Sequence, residues 1–287
     1  MTRLILNADD LGLTPGVNRS ILELYHGGAL TSATLMATAS HTPEAVAIVR
    51  QSGLSVGCHI VLVDGQPALP HERIPALAPR SGLFRTELGA FFLDLARGAI
   101  PEMEIEMEAV AQIRCLQNAG ITVTHLDTHK HTHMFPRVLR PLLRAAILCG
   151  VRAVRNPFEP DWALDATAHG PILRRMEIRL LRAGRSEFLR LVQQAGMITT
   201  DGTIGVLATG SLDTEALEHL LNATPAGTWE LVCHPGYIDD DLSKLQTRLR
   251  ESRAIEHSAL GKAVPQFLSR HPEIAAINFG QICEPVA

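Results

Sequence analysis

Several familiar motifs are missing from this sequence of 287 residues. It contains no GxGxxG pattern and no P-loop sequence, which excludes the usual dinucleotide-binding and nucleotide-binding interpretations. Its five cysteines are widely spaced and form no CxxC pair, so neither a cysteine zinc site nor a disulfide framework is expected. We therefore predict reduced, buried thiols and a cytoplasmic protein.

Basic charge is not in excess either. The formal net charge is −4, so attraction to a phosphate backbone cannot be the main driving force, and we predict no nucleic-acid partner. The longest stretch without Asp, Glu, Lys or Arg, residues 24–43, is rich in Gly, Ser and Thr, so we predict no membrane span. No secretory signal is visible at the N-terminus. The composition is typical of a soluble globular protein.

Apolar strand patterns alternate with helical patterns along the chain, which favours a parallel α/β fold. Strands are predicted at residues 3–8, 30–38, 54–63, 121–127, 153–156, 229–234 and 274–279, with one or two short strands within residues 197–208. Helices are predicted at residues 17–25, 43–51, 86–97, 101–119, 137–149, 171–195, 214–222 and 242–270, the last interrupted near Pro265. The strand count and the length predict a distorted or incomplete (β/α) TIM-like barrel, as a single domain over residues 1–287.

The segment at about residues 64–85 contains four prolines and two glycines and is predicted to be a long loop. Loops of this length in compact domains are usually lids or substrate-binding loops. We therefore expect this loop to contribute to a substrate site.

A cluster of histidines follows the fourth predicted strand. His125, His129, His131 and His133 lie within nine residues. Imidazole is the commonest protein metal ligand, and its pKa lies near neutrality. An exposed histidine-rich loop would show the same pattern, so the cluster alone leaves both interpretations open.

Further polar residues lie at or near predicted strand ends, and they favour the metal-site interpretation over the exposed loop. They are Asp9, Asp10, His59, Asp127 and His234. In a parallel barrel the carboxyl ends of all strands face one side, so these groups should converge. Carboxylates and imidazoles from several segments form catalytic divalent-metal sites, which usually have three protein ligands and one open position. Taken singly, the two aspartates could serve as a turn or cap, and His59 could be a core histidine.

Five sequence blocks resemble those of a known family. They are Asn7-Ala-Asp-Asp-Leu-Gly12, Gly57-Cys-His-Ile60, Thr124-His-Leu-Asp-Thr-His129, His131-Thr-His-Met134 and Cys233-His-Pro-Gly236. In this order they resemble the YdjC-type carbohydrate deacetylases, which include chitooligosaccharide deacetylase and the hopanoid-biosynthesis-associated deacetylase. The resemblance spans nearly the whole chain. One departure is Lys130, where the chitooligosaccharide enzyme has another histidine.

The resemblance implies a role for each matched residue. Asp10, His59 and His129 are the implied metal ligands. Asp9 is the implied general base, and His234 the implied general acid or oxyanion partner. The implied contacts to substrate or to the ligating residues come from Asp127, His131, His133 and Arg155.

The implied activity is metal-dependent hydrolysis of the N-acetyl group of an amino sugar, in an oligosaccharide or a glycolipid, with Asp9 as the base for the attacking water. Two imidazoles and a carboxylate favour Zn²⁺ or another first-row ion, whereas the resemblance suggests Mg²⁺. It also suggests a homodimer. Two alternatives stay open: a metal-dependent phosphoesterase on a similar barrel, and a non-catalytic carbohydrate- or metal-binding protein.

Overall fold

Eight parallel strands form the centre of the computed structural model, which describes residues 1–79, 82–167 and 170–282. The strands are β1 (Thr2–Leu11), β2 (Ser32–Leu35), β3 (Ser55–Ile60), β4 (Val123–Thr128), β5 (Ala153–Val154), β6 (Gly202–Ile204), β7 (Gly227–Cys233) and β8 (Ile274–Ile277). Their order is β5-β4-β3-β2-β1-β7-β6, with β8 paired to β1. The described residues form a single α/β domain, which agrees with the predicted distorted (β/α) barrel.

Helices connect these strands and cover the outer face of the barrel, and the strand residues are largely buried. The helices are α1 (Pro15–His26), α2 (Thr42–Ser52), α3 (Leu88–Ala96), α4 (Glu102–Asn118), α5 (Pro136–Leu148), α6 (Asp161–Ala166), α7 (Ile172–Leu181), α8 (Arg185–Gln194), α9 (Thr214–Ala223), α10 (Asp240–Lys244) and α11 (Glu251–Arg270). Among the described residues, no helix combines the length and the apolar character needed to cross a bilayer.

The barrel closes imperfectly between β5 and β6. A parallel bridge joins Ala153 to Ile198, ahead of β6. The Thr203 hydroxyl then donates a hydrogen bond to the backbone carbonyl of Asn156 at 2.6 Å. Because β5 contains only two residues, a short bridge and side-chain hydrogen bonds replace a continuous ladder there, and this is the physical origin of the distortion.

Strand register brings the polar strand ends to one level. His59 on β3 pairs with Asp127 on β4. On the other side, Ala8 pairs with Cys233, so Asp9 and His234 follow neighbouring positions of β1 and β7. Since the strands are parallel, these residues face the same end of the barrel.

Two predicted helices are wrong in their continuity. The helix predicted at residues 171–195 is divided into α7 and α8 by a turn at Arg182–Gly184, where glycine disfavours a continuous helix. The helix predicted at residues 242–270 breaks between α10 and α11, whereas α11 continues through Pro265. Its buried face, which includes Val264 and Phe267, stabilises the helix there despite the missing N–H.

The cysteine prediction is wrong at one position. Cys115 is exposed on the solvent side of α4, while Cys58, Cys149 and Cys233 are buried and all four are free. Cys283 lies outside the described residues.

The long loop at residues 64–85, described except for residues 80 and 81, is held in place by one face of α4. The Glu104 carboxylate accepts hydrogen bonds from two backbone N–H groups in the middle of the loop, at 2.9 and 2.8 Å. Glu108, one turn later, accepts from two N–H groups nearer its start, at 2.7 and 3.0 Å. Gln112 binds both backbone polar groups of Val61. These hydrogen bonds hold the loop against α4, so they favour a loop in a fixed position over a mobile lid.

Candidate metal centre

Three side chains from three strand ends face one another at the carboxyl end of the barrel. The Oδ1 atom of Asp10 lies 3.6 Å from Nε2 of His59 and 3.5 Å from Nδ1 of His129. The two imidazole nitrogens are 3.4 Å apart. Asp10 and His59 are buried, whereas the His129 side chain keeps 21% of its exposure, so the site is open to solvent on that side.

Local backbone geometry directs these side chains. Asp10 has a left-handed backbone with φ of 66°, an uncommon conformation for a residue with a Cβ. His129 begins the turn His129–Met134 after β4, and the next two residues, Lys130 and His131, also have positive φ, of 59° and 52°. Strained backbone of this kind persists when surrounding contacts hold it, and it concentrates at functional sites.

The three donor atoms fit a single divalent cation. A tetrahedral zinc ion with ligand distances of about 2.0–2.1 Å separates its ligand atoms by about 3.4 Å. The observed separations of 3.4 to 3.6 Å agree with that value. Two imidazoles, a carboxylate and an open side are also the donor set of a catalytic rather than a structural site.

A second cluster lies directly beside the first and is organised by a buried arginine. Arg155 donates to both carboxylate oxygens of Asp9, at 2.8 and 2.7 Å. It also donates to Asp127 and, through Nε at 2.8 Å, to Glu230. We call Arg155, Asp9, Asp127 and Glu230 the Arg155 cluster.

The Arg155 cluster has the side chains of a metal site, but its positive charge is supplied by the guanidinium of Arg155. Ligand atoms of Asp9, His59 and Asp127 lie within 4.8 Å of one another. The guanidinium of Arg155 contacts both aspartates, so its positive charge occupies the position that a second ion would need. A guanidinium paired in this bidentate way is a strong, directional partner for carboxylates.

Charge in the two clusters is strongly coupled. Burial alone would raise the pKa of Asp9, but the Arg155 guanidinium overrides it and holds that pKa well below its usual range. Burial also opposes a charged His59 ring, yet the adjacent Asp127, whose Oδ2 lies 2.8 Å from Nδ1, raises the pKa of His59 to about 9. Burial raises the pKa of Glu230 to about 7, against the pull of Arg155.

His234 approaches Asp9 from β7. Its Nε2 atom lies 3.8 Å from Oδ2 of Asp9, and its Nδ1 is buried without a hydrogen-bond partner among the described residues. Its backbone N–H donates to the buried Glu256 carboxylate at 2.6 Å. Burial lowers the pKa of His234 to about 4, so the ring is neutral at neutral pH.

The other histidines of the predicted cluster point in different directions. His131 is half-buried, with an Nδ1 atom that has no partner among the described residues, and burial lowers its pKa to about 3. His133 is fully buried, and its Nδ1 pairs with the Thr128 hydroxyl at 2.7 Å. His125 stacks on Phe279 at 3.6 Å, away from the three-ligand site. Both His125 and His131 thus feel the charge of Asp9, but neither belongs to the group formed by Asp10, His59 and His129.

Arg253 and Glu230 were missed as functional candidates in the sequence. Arg253, near the start of α11, donates to Oδ2 of Asp10 at 2.5 Å, across 243 positions of sequence. We call Arg253, Asp10, His59 and His129 the Arg253 cluster. Glu230 offered one local signal, since it is a charged residue inside the otherwise apolar strand β7.

Residues 3–268 match the sequence model of the YdjC-like protein family. The chain belongs to this family. A carbohydrate deacetylase of Thermoanaerobacter pseudethanolicus is 27% identical over 281 residues, which are 97% of this chain and 98% of the relative. A human carbohydrate deacetylase is 32% identical over 250 residues, which are 82% of this chain and 75% of the relative. The family assignment made from the motifs is confirmed.

Solved structures of related proteins show the same fold. A YdjC-like relative from Enterococcus faecalis, provisionally named for cellobiose-phosphate cleavage, superposes with a TM-score of 0.77 at 26% identity, covering 97% of both chains. The lactam utilization protein of Thermus thermophilus, at 14% identity and a TM-score of 0.52, shows similarity of fold alone; it covers 96% of this chain and 99% of that one.

Proposed function

We propose that this YdjC-like protein is a metal-dependent carbohydrate deacetylase that hydrolyses the N-acetyl group of an N-acetylated amino sugar, in an oligosaccharide or a glycolipid. The observation that carries the proposal is the triangle of Asp10, His59 and His129, with Asp9 and His234 beside it. The family relatives that are named carbohydrate deacetylases support the reaction class.

In this proposal Asp10, His59 and His129 hold one divalent cation, which when bound polarises the amide carbonyl and makes water more acidic. The two imidazoles and the near-tetrahedral spacing favour Zn²⁺ or another first-row ion over Mg²⁺, which prefers octahedral oxygen ligands. Because His129 is partly exposed, substrate can approach from its side of the triangle.

Asp9 and His234 form the proton path. Asp9 is ionised at neutral pH, and its Oδ2 lies 3.8 Å from Nε2 of His234. Because Arg155 lowers the pKa of Asp9, Asp9 is a weak base that passes the proton of the attacking water on to His234. His234 is neutral and therefore becomes a donor only after it takes up that proton at Nε2, across the 3.8 Å gap. The amide C–N bond breaks as the amine receives the proton, and acetate carries the new C–O bond. General acid–base help of this kind is worth about 10² to 10⁴ in rate.

The phosphoesterase alternative is less well supported. Two-metal phosphoryl-transfer sites hold ions about 3.5–4 Å apart. Here the neighbouring carboxylates of Asp9 and Asp127 are paired with Arg155 instead. A site with one cation and a fixed guanidinium therefore fits amide hydrolysis better than phosphoester hydrolysis by two metal ions.

Acetate release tests the proposal and the non-catalytic alternative together. The purified protein is incubated with a panel of N-acetylglucosamine oligomers and acetylated glycolipids, and acetate is measured. We expect release from at least one class of sugar, abolished by a chelator and restored by a divalent cation. Binding of these sugars without acetate release, in a protein shown to contain metal, would support the non-catalytic alternative and contradict the proposal.

Two further expectations stay predictions. The chain is predicted to act in the cytoplasm and to form a homodimer. Light scattering coupled to size-exclusion chromatography measures the second directly, and a monomer at micromolar concentration would contradict it.

A further inference from the structure

Arg253 forms an ion pair with Asp10, the one carboxylate in the three-ligand site. As a result the two oxygens of Asp10 have different partners. Oδ2 of Asp10 accepts a hydrogen bond from Nη2 of Arg253 at 2.5 Å. Oδ1 faces the two imidazole nitrogens at 3.5 and 3.6 Å. Only one oxygen of Asp10 is therefore directed into the triangle.

The guanidinium of Arg253 is fixed by contacts on several sides. Its Nε donates to the backbone carbonyl of Leu249 at 3.0 Å, and Nη1 reaches the carbonyl of His234 at 3.5 Å. Its own carbonyl accepts from the N–H of Gly236 at 3.1 Å. A Cβ on Gly236 would come within 3.1 Å of the Arg253 side chain, so the two segments are closely packed. Arg253 is 2% exposed, so its side chain is enclosed by these contacts.

This contact also balances charge. Arg253 is always protonated, so it neutralises the only carboxylate of the triangle, and the other two ligands are imidazoles. Cations such as Mg²⁺, Ca²⁺ and Mn²⁺ prefer oxygen ligands, carboxylates among them, and Ca²⁺ often takes a carboxylate in bidentate fashion. Zn²⁺ binds well to imidazole and needs only four ligand atoms.

We propose that Arg253 is a positioning residue that sets the metal preference of this site: by holding Oδ2 of Asp10 it leaves a single, charge-neutralised carboxylate oxygen for the cation and disfavours oxygen-preferring ions. The inference rests on the proposed metal site. A purely structural role, in which Arg253 only joins α11 to the segment after β7, would affect folding without changing the preference between ions.

Competition between Zn²⁺ and Mn²⁺ on chelator-treated protein separates these roles. We expect Arg253→Met to improve the affinity for Mn²⁺ relative to Zn²⁺ by about tenfold or more, the scale on which residues behind metal ligands act. Arg253→Lys, which keeps the positive charge, should stay close to wild type. The matched control is Arg250→Met, since Arg250 lies at the same helix start but bonds to Leu245.

An unchanged ratio of the two dissociation constants in Arg253→Met would overturn the inference, as would an equal shift in Arg253→Lys. If Arg253→Met does not fold, a crystal structure of the zinc-loaded wild-type protein decides: Oδ2 of Asp10 must still contact Arg253, and bidentate Asp10 contradicts the proposal. If Asp10, His59 and His129 do not form the metal site at all, the result is different: His59→Ala would then bind Zn²⁺ as tightly as the wild-type protein.

Discussion

Two buried arginine clusters meet at adjacent residues of β1, and they use their carboxylates in opposite ways. In the Arg155 cluster, both oxygens of Asp9 are bound by one guanidinium, which also contacts two further carboxylates. In the Arg253 cluster, the arginine holds one oxygen of Asp10 and the other faces two imidazoles. Two neighbouring aspartates thus have different environments, which agree with their proposed roles as proton acceptor (Asp9) and metal ligand (Asp10).

The difference suggests how a protein can limit a carboxylate-rich site to one ion, as we propose here. Several buried carboxylates without positive partners would raise one another's pKa and take up protons. Arg155 compensates the negative charge of Asp9, Asp127 and Glu230 in one cluster, so that cluster does not need an ion to be stable. In the Arg253 cluster one carboxylate oxygen and two imidazole nitrogens face one another within 3.6 Å, so we propose this cluster as the cation site.

Removal of His59 should have the largest effect on metal binding and activity among the substitutions that test this comparison. His59→Ala deletes one of three ligands and one of two imidazoles, so we expect loss of bound metal and of deacetylation together. Elemental analysis and acetate release measure both. His219→Ala, an exposed histidine on α9, is the control and should keep both. Full metal content in His59→Ala would place the ion elsewhere.

Asp9→Asn separates the two clusters by function. The amide is isosteric, so metal should stay bound at Asp10, His59 and His129. Turnover should fall by about 10² to 10⁴, the usual value of a general base. Equilibrium metal binding and acetate release are compared on the same preparation, with Asp240→Asn on the surface as control. Deacetylation near the wild-type rate would remove Asp9 as the base.

Arg155→Met tests whether Arg155 takes the place of a cation. Methionine keeps the apolar stem but leaves three buried carboxylates unpaired, which should cost about 3–5 kcal/mol of unfolding free energy. Divalent cations should restore part of this loss, because Asp9, His59 and Asp127 have ligand atoms within 4.8 Å of one another. Urea unfolding with and without Zn²⁺ measures both effects. Stability unchanged from wild type would show that the cluster does not depend on Arg155.

Glu230→Gln should have the smallest effect on the free energy of unfolding, and the size of this effect should depend on pH. The folded pKa of Glu230 is raised from 4.5 to about 7, so the folded state binds this proton more tightly than the unfolded state. Its contribution to stability is therefore present below about pH 4.5 and lost as pH rises through about 7.

The variant should lack that decline, a difference of about 1–3 kcal/mol between pH 5 and pH 8 in metal-free protein. Urea unfolding at several pH values, compared with wild type, isolates the contribution of this one carboxyl. Parallel pH profiles for the two proteins would contradict the assigned shift.

The sequence predicted the barrel and the position of the site for a simple physical reason. Apolar runs mark buried strands, and in a parallel sheet residues at the carboxyl ends converge whatever their distance along the chain. The pattern therefore predicted that the segments carrying Asp10, His59 and His129 converge, whereas the choice of these three residues as ligands came from the family resemblance and stays a prediction. The division of helix 171–195 had one local signal, Gly184 in the turn, but a single glycine does not fix a break, and the packing of α8 through Phe188 against Phe158 is visible only in the fold.

The two arginine partners had no comparable signal. Arg253 reaches Asp10 from a helix 243 positions away, and Arg155 reaches Glu230 across 75 positions. Periodicity reports which face of an element is buried, but not which buried charge meets which. Arg155 was a candidate only through the family resemblance, and its position between three carboxylates required the fold.

The central claim is that one cation binds to Asp10, His59 and His129, while Arg155 fills the neighbouring position. Anomalous X-ray diffraction from crystals of the zinc-loaded protein tests it most directly. The account predicts a single anomalous peak within coordination distance of Oδ1 of Asp10 and the two imidazole nitrogens. A peak between Asp9 and Asp127, or two peaks of similar height, would contradict it.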